Sequence, residues 1–304
     1  MIHRYSFNEA PGATEVLDSV GGANGELVNP SPSSDFTGTG RLKLQGGAWN
    51  AAVQSGYVNL PNGLISGLTD ASIEGWIRWA GPSSSSWQRI FDFGRNSATD
   101  AEGNPLEDAY VNPGLSYMFL SPRSGNNTFR FAIKQGAGPE QPVLDSTTLP
   151  VNQDVHFALV YDAAAGGVRL YRDGRRVQTG LVTHPLSVVE DLNVYLGRSQ
   201  WTDPYFAGEF DEFRIYAGAL QEDEVAVSFA AGANTLPDFT PAPRLAVSLA
   251  GALIELSWPA EATGFVLEAS DQLPAVSWVP VSGVVNNRVA VPADRNARFY
   301  RLRK

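Results

Sequence analysis

The chain has 304 residues, no cysteine, and 22 basic against 32 acidic side chains, which give a formal net charge of −10. This length predicts about two domains and is sufficient for a buried core, and the hydrophobic content of 43% excludes a disordered chain. The lack of cysteine excludes a disulfide scaffold, a thiolate metal site and a cysteine nucleophile, and the acidic balance argues against nucleic acid as a partner.

The apolar runs and the start of the chain bear on its location. No run approaches the ~18 apolar residues of a membrane helix, so no membrane insertion is predicted. The first residues, Met1 to Arg4, lack the apolar stretch of a signal peptide. We interpret the chain as a mature secreted or cell-surface segment whose leader has been removed, with a cytosolic protein as the alternative, and we expect a monomer.

Alternating apolar residues predict short strands along most of the chain. Within residues 71–80 the apolar side chains Ile73, Ile77 and Trp79 alternate with more polar ones. Further strands are predicted at residues 87–93, 115–120, 128–134, 155–161, 168–172, 193–197 and 209–216. The turn at Asp173-Gly174 predicts an antiparallel hairpin, because glycine accepts the positive φ angles of tight turns. This pattern is typical of an all-β sandwich or barrel.

One helix and one linker interrupt the strand pattern. The helix is predicted at residues 221–231, with Glu222, Asp223 and Glu224 in its first turn and Gly232 just after its end. The proline-rich residues 232–243 predict a stiff linker. The tail, residues 244–304, again alternates in short runs, at 252–258, 264–269 and 298–303 among others. We therefore expect domains at about 1–231 and 244–304.

Several segments, in order along residues 1–231, resemble one family. They are residues 18–25 (DSVGGANG), 57–61 (YVNLP), 72–79 (SIEGWIRW), 89–94 (RIFDFG), 196–200 (LGRSQ) and 206–216 (FAGEFDEFRIY). The resemblance is to the bacterial laminin-G-like, concanavalin A-like jelly-roll family, which implies an antiparallel sandwich. That superfamily includes lectins, carbohydrate-binding modules, adhesion domains and some glycosidases. In the tail, residues 254–259 (IELSWP) and 299–302 (FYRL) are similar to fibronectin-III-like modules.

The same resemblance implies a structural Ca²⁺ between the N-terminal loop and the last strand of the jelly roll. Asp18, Asn24 and Asp211 occupy the matching positions, and calcium prefers oxygen ligands of these kinds. The alternative is structural, because Asp18 also suits an Asx-turn and Asp211 suits a strand end or an ion pair with Arg214.

A glycan site needs aromatic rings that stack on sugar faces and polar groups that bond to hydroxyls. One predicted loop supplies both kinds of group, and its candidates are Arg198, Gln200, Trp201, Asp203 and Tyr205. Predicted strands add Trp76, Arg78 and Arg89. The alternatives are that Trp76 lies in the core and that Glu74, Arg78, Arg89 and Asp92 form a structural ion-pair network.

We conclude that the sequence predicts non-catalytic binding of a polysaccharide or cell-surface glycan. The first alternative is a glycoside hydrolase or polysaccharide lyase that uses Glu74, Asp92 and Glu209. Retaining glycosidases place two carboxylates ~5–5.5 Å apart, so these acids would have to converge. The second alternative is a structural or adhesion module of a surface assembly. His156 is expected to be a core or strand-face histidine, because the three histidines show no metal-ligand spacing.

Overall fold

The structure is a computed structural model that describes residues 1–48, 55–81, 86–109, 111, 113–239, 243–260, 262–275, 277–294 and 297–303. The chain divides into two compact units, Met1–Asp238 and Phe239–Lys304. The division falls within the predicted linker, but residues 232–238 belong to the first unit. No described helix has the length and apolarity that a membrane span requires.

The first unit contains sixteen described strands, one α-helix and one 3₁₀ turn at Leu186–Val188. Its strands are β1 (His3–Tyr5), β2 (Glu15–Val16), β3 (Gly25–Val28), β4 (Asp35–Phe36), β5 (Leu42–Gly47), β6 (Tyr57–Leu60), β7 (Ala71–Trp79), β8 (Phe91–Asn96), β9 (Gly114–Ser121), β10 (Phe129–Lys134), β11 (Gln141–Asp145), β12 (Asp154–Asp162), β13 (Gly167–Arg172), β14 (Arg175–Leu181), β15 (Asn193–Leu196) and β16 (Tyr205–Tyr216). The helix is α1 (Glu222–Ala231).

These strands form two antiparallel sheets. The first sheet has the order β14-β13-β12-β7-β16-β5-β4, with β1 also paired to β16. The second has the order β11-β10-β9-β8-β15-β6-β3-β2. The predicted all-β antiparallel sandwich is therefore confirmed.

The core lies between the two sheets, where the inner side chains of both meet. The alternation predicted for β7 is confirmed, since Ile73, Ile77 and Trp79 are all buried in this core. From the second sheet, the Phe91 ring lies 6.1 Å from the ring of Phe213 in β16. Because side chains alternate along a strand, the residues between these core positions project from the outer face of each sheet.

The helix α1 lies against the outer face of the first sheet, where its Ser228 hydroxyl bonds to Glu74 of β7. Its start is closed by Gln221, whose backbone N–H donates to the Glu224 carboxylate at 2.7 Å. Its end is closed by Gly232 at φ 83°, a conformation that favours glycine. The predicted helix at 221–231 is thus confirmed. Where α1 lies, the first sheet is covered by the helix on one face and by the second sheet on the other.

The second unit contains β17 (Ala246–Ala250), β18 (Leu253–Ser257), β19 (Val266–Ser270), β20 (Val279–Pro280), β21 (Arg288–Pro292) and β22 (Phe299–Arg303). They form two three-stranded sheets, β17-β18-β21 and β20-β19-β22. Their small core consists of Leu256, Trp258, Leu267, Val289 and Val291. The predicted strands at 252–258, 264–269 and 298–303 are found as β18, β19 and β22, while the fibronectin-III-like identity stays a prediction.

Candidate functional site

The outer face of the first sheet carries a buried ionic cluster beneath α1. Glu74 and Arg214 are both fully buried, and Arg214 Nη1 lies 3.1 Å from Glu74 Oε1. The same carboxylate accepts hydrogen bonds from the Tyr216 hydroxyl at 2.6 Å and the Ser228 hydroxyl at 2.7 Å, and His156 Nε2 lies 3.2 Å from its other oxygen. Burial alone would raise the pKa of Glu74, but these contacts outweigh burial and lower it. Glu74 is therefore an ionised structural group.

Trp76 belongs to this covered region and is not available to stack on a ligand. It is 9% exposed, and its ring centroid lies 4.5 Å from that of His156. The guanidinium carbon of Arg214 lies 4.7 Å from the centroid of the Trp76 ring. Trp76 and His156 are therefore buried structural residues, but Trp76 lies beneath α1 on the outer face of the sheet and not in the core between the two sheets.

Arg78 and Glu209 belong to a more exposed set of charges on the same face. Arg78 donates two hydrogen bonds to the Asp154 carboxylate, at 3.0 and 2.8 Å. Arg41 Nη1 lies 2.8 Å from Asp154 Oδ1 and 3.2 Å from Glu209 Oε2. Arg78 is thus part of an ion-pair network, as the structural alternative expected, but its partner is Asp154.

Asp18 holds a loop of the first unit through its carboxylate. Its Oδ1 accepts the backbone N–H groups of Arg4, Val20 and Gly21 at 2.9–3.0 Å. Its Oδ2 accepts another backbone N–H at 3.0 Å and lies 2.7 Å from His3 Nδ1. Burial would raise the pKa of Asp18, but the hydrogen bonds outweigh it and lower the pKa to about 2. Both oxygens are therefore occupied by donors.

Other groups engage the side-chain oxygens of the three residues predicted to hold calcium. Asn24 Oδ1 accepts the backbone N–H of Asp18 at 2.9 Å. Asp211 lies 3.3 Å from Arg41 Nη2 and accepts a hydrogen bond from the Asn234 side chain at 2.8 Å. Within the described ranges, no group of three or more His, Cys, Asp or Glu side chains could hold a metal ion. This donor set does not fit a shared ion, and calcium stays a prediction without a described site.

Chelation tests the calcium prediction directly. An ion bound only by the folded chain raises the melting temperature by mass action. Because the Asp18 oxygens already accept hydrogen bonds, we expect removal of calcium with a chelator to shift the melting temperature by less than about 1 °C. A larger drop that added calcium restores and magnesium does not would show an ion bound by other groups.

The outer face of the second sheet carries an aromatic patch, which we define as Trp87, Tyr117, Phe119 and Trp201. Tyr117 and Phe119 are buried and lie side by side, with ring centroids 5.9 Å apart. Trp87 and Trp201 are half-buried and pack against them. The rings of Trp87 and Trp201 are therefore held in place by Tyr117 and Phe119 and are partly accessible to solvent.

Charged and polar side chains surround the patch. Lys134 Nζ lies 5.6 Å from the Trp201 ring centroid, and Arg130 Cζ lies 5.4 Å from that of Trp87. Glu140 forms an ion pair with Arg130 and accepts a hydrogen bond from the Tyr117 hydroxyl at 2.6 Å. Burial, first of all, raises the pKa of Tyr117, so its phenol remains protonated and donates this bond. The aromatic rings therefore lie beside hydrogen-bonding groups of both positive and negative charge.

Arg89 fixes the loop that carries Trp201. It is buried over the Phe119 ring, with its guanidinium carbon 4.0 Å from the ring centroid. Its Nη2 donates to Asp203 at 2.7 Å, and its Nε donates to Asp92 at 3.2 Å. Gln200 donates its backbone N–H to the same Asp92 oxygen at 3.0 Å. Arg89, Gln200 and Asp203 are therefore brought together with Trp201, chiefly as groups that position it.

Arg198 and Tyr205 lie in a neighbouring tyrosine cluster. Tyr205, a candidate for stacking on a sugar, is 1% exposed and packs against Tyr57 and Tyr195, so its ring is not accessible to a ligand. Arg198 donates to the Tyr57 hydroxyl at 2.7 Å and to the Asp108 carbonyl at 2.9 Å. Both residues stabilise the loop ends rather than face a ligand.

The acids of the enzymatic alternative do not form a catalytic pair. Glu74 and Glu209 project from the first sheet, whereas Asp92 projects from the second, between Phe119 and Tyr195 in the strand register. Glu74 is buried in its ionic cluster and Glu209 is paired with Arg41. The two carboxylates of a glycosidase must flank one bond, and this arrangement does not provide that.

Asp92 gives the second sheet a titrating group in the neutral range. Burial raises its pKa to about 7, although the Arg89 charge opposes the shift. Since the pKa is raised by folding, this carboxyl contributes stability that is present below about pH 4 and lost as the pH rises through 7. The unfolded carboxyl ionises at about pH 4 and the folded one at about pH 7, so the penalty for ionisation keeps growing from pH 5 to pH 7. The stability of Asp92→Asn relative to the parent chain is therefore expected to rise by about 3 kcal/mol between pH 5 and pH 9.

Urea denaturation at the two pH values measures the Asp92 effect. Asp203→Asn is the control, because Asp203 also contacts Arg89 but is only half-buried. That control is expected to show no gain at pH 9. Parallel pH profiles for the parent chain and Asp92→Asn would contradict the prediction.

Two antiparallel sheets closed over one core, with a helix on the back of one of them, define a lectin-type jelly roll. A model of the concanavalin A-like lectin/glucanases superfamily matches residues 52–226, which is more than half of the chain. The chain belongs to this superfamily.

Solved structures support the fold. The chain is similar to domain 4 of AbnA, a GH43 extracellular arabinanase from Geobacillus stearothermophilus, in complex with arabinotriose, with a TM-score of 0.55 and 22% identity over 74% of this chain and 96% of that one. It is also similar to the binding domain of botulinum neurotoxin serotype G, with a TM-score of 0.53 and 14% identity over 84% and 61% of the two chains. At these identities the likeness establishes the fold alone. No curated protein matches the chain.

Sequence reasoning missed most of the aromatic patch. It selected Trp201 from its loop, but not Trp87, Tyr117 or Phe119. The signal was present, because the strand predicted at 115–120 alternates, so Tyr117 and Phe119 must share one face. The alternation could not show which face of this strand packs against the other sheet and which face is exposed to solvent.

Proposed function

We propose that the aromatic patch binds a polysaccharide or cell-surface glycan without catalysis. The observation that carries this proposal is the pair of half-buried tryptophans, Trp87 and Trp201, anchored on Tyr117 and Phe119. Flat aromatic faces pack against the apolar faces of sugar rings, and nearby polar groups bond to the hydroxyls. The AbnA domain complexed with arabinotriose supports the proposal as a fold analogy.

The polar surroundings of the patch favour a hydroxyl-rich ligand. Arg130, Lys134, Glu140 and Asp203 combine donors and acceptors near the two tryptophans. Their formal charges cancel, so the patch does not require an anionic ligand. We further propose that the chain acts as a monomer outside the cell, where such glycans are found.

Replacing Trp201 tests the proposal. Trp201→Ala is expected to weaken binding to the best ligand of a polysaccharide panel by at least about tenfold, because truncating a packed aromatic anchor costs on the order of 2 kcal/mol. Trp87→Ala should act in the same direction. Isothermal titration with a soluble oligosaccharide of that ligand gives the dissociation constants.

The matched control is Trp278→Ala in the second unit. Trp278 is also half-buried, and Arg301 Cζ lies 4.4 Å from its ring centroid. This variant should bind like the parent chain. Unchanged affinity of both Trp87→Ala and Trp201→Ala, or release of reducing ends from the polysaccharide in proportion to the protein added, would contradict non-catalytic binding at the patch.

A further inference from the structure

A groove of about 320 Å³ lies on the outer face of the first sheet, beyond the end that α1 covers. Residues of β5, β7 and β16 line this groove, together with Asn152 in the loop before β12. The aromatic patch lies on the other sheet, so this groove is a separate feature of the sandwich.

Small residues keep the floor of the groove low. Ala207 and Gly208 of β16 form it together with Ala80. A Cβ at Gly208 would lie 2.2 Å from the carbonyl oxygen of Arg78 in the paired strand, so a side chain there would disrupt the sheet. A Cβ at Gly46 would likewise lie 2.5 Å from the Cβ of Ala207. The two glycines therefore allow the strands to pair closely, and the short side chains of Ala80 and Ala207 leave the space of the groove above them.

A row of alternating charges crosses the first sheet at the groove, and three of its members, Lys43, Glu209 and Arg78, line the groove. The register aligns five residues across five neighbouring strands: Asp35, Lys43, Glu209, Arg78 and Asp154. Cross-strand neighbours of opposite sign stabilise one another and hold their side chains in place. With Arg41, which bridges Asp154 and Glu209, the row contains three acidic and three basic groups. Its formal charge is zero.

The lining determines the chemistry of a ligand. Lys43 and Arg78 are donors, Glu209 is an acceptor, and the amides of Gln45 and Asn152 are both. The lining residues that the structure describes include no aromatic ring, so recognition would depend on hydrogen bonds. A ligand that is neutral and carries many hydroxyl groups can satisfy donors and acceptors together.

We propose that this groove is a second binding site, for a neutral hydroxyl-rich ligand of one or two sugar rings. It goes beyond the glycan binding proposed for the aromatic patch, because it uses other residues, another sheet and another mode of contact. A net-neutral row also predicts little electrostatic attraction, so affinity should change by less than about twofold between low and high salt.

The experiment titrates the ¹⁵N-labelled full chain with maltose, cellobiose and lactose, and with glucuronate as an anionic comparison. Binding in the groove is expected to shift the amide signals of Gln45, Ala207 and Gly208 with at least one of the neutral sugars. Ala207→Phe should abolish these shifts by filling the space, and Gln45→Ala should weaken binding by about fivefold, as expected for one lost hydrogen bond.

Two controls separate this site from the aromatic patch. Gln178→Ala removes an exposed strand amide of the same sheet and should leave the titration unchanged. Trp201→Ala should weaken polysaccharide binding at the patch while the groove signals still shift. If Ala207→Phe does not fold, Gln45→Ala against Gln178→Ala still decides the question. No shift at the three amides with any neutral sugar, shifts confined to the patch, or a preference for glucuronate that salt removes would overturn the proposal.

Discussion

Replacing Arg214 by methionine is expected to lower the free energy of unfolding by about 3–5 kcal/mol, because it leaves buried carboxylates without their partner. Arg214 Nε lies 2.7 Å from Glu212 Oε1, and its Nη1 lies 3.1 Å from Glu74 Oε1. Its Nη2 donates to the Thr235 carbonyl at 2.9 Å. Arg4 also lies 2.5 Å from Glu212, but Glu74 has no second arginine among its described contacts. Urea denaturation followed by circular dichroism measures the loss.

A surface ion pair provides the control for Arg214. Arg176 Nη1 lies 3.6 Å from Glu222, with both side chains largely in solvent. Arg176→Met is expected to change stability by less than about 1 kcal/mol, since exposed pairs are screened and mobile. If Arg214→Met costs no more than this control, the buried cluster contributes nothing net to stability, and the prediction is wrong.

The second large effect is expected at Asp18. Its folded pKa of about 2 lies below the value of 3.8 that is usual for aspartate. A carboxylate with a depressed pKa contributes stability that is present above the unfolded pKa and lost as the pH falls through the folded one. We therefore expect Asp18 to contribute about 2 kcal/mol at pH 7 that disappears between about pH 4 and pH 2.

Asp18→Asn removes this contribution, because an amide presents one acceptor oxygen where the carboxylate presents two. The variant should be less stable than the parent chain at pH 7 and should lose less stability on acidification. Asp100→Asn is the control, since Asp100 also accepts backbone hydrogen bonds in a turn, but these bonds are exposed to solvent and the substitution should have a smaller effect. Equal acid sensitivity of the parent chain and Asp18→Asn would mean that other carboxylates dominate.

Alternation along the strands made much of the fold predictable. A period of two assigns residues to one face or the other, and this placed Ile73, Ile77 and Trp79 together in the core. The same period placed Glu74, Trp76 and Arg78 on the opposite face, which is also correct. It could not show that α1 would cover Glu74 and Trp76 and leave Arg78 open, because that contact joins distant parts of the chain.

Strand ends were less predictable than strand faces. The proline before Tyr205 indicated a loop, but β16 begins at Tyr205, which pairs with Gly47 of β5. Hydrogen bonding to β5, which is distant in sequence, therefore starts β16 earlier than the proline indicated, and the Tyr205 ring is buried. Conversely, the strand predicted from residue 87 begins only at Phe91, and Trp87 lies in a loop at φ 77°. That displacement puts Trp87 at the rim of the aromatic patch.

Residues near both ends of the first unit meet beside the ionic cluster beneath α1. Glu212 accepts hydrogen bonds both from Arg4, near the beginning of the unit, and from the backbone N–H of Asn234, near its end. The Asn8 and Asn234 side chains also bond to each other at 3.2 Å. The chain segments at the two ends of the unit therefore lie close together. A fold with adjacent ends can be spliced into a loop of a host protein or circularly permuted with a short joint, whereas a fragment cut at residue 231 would lose half of that junction.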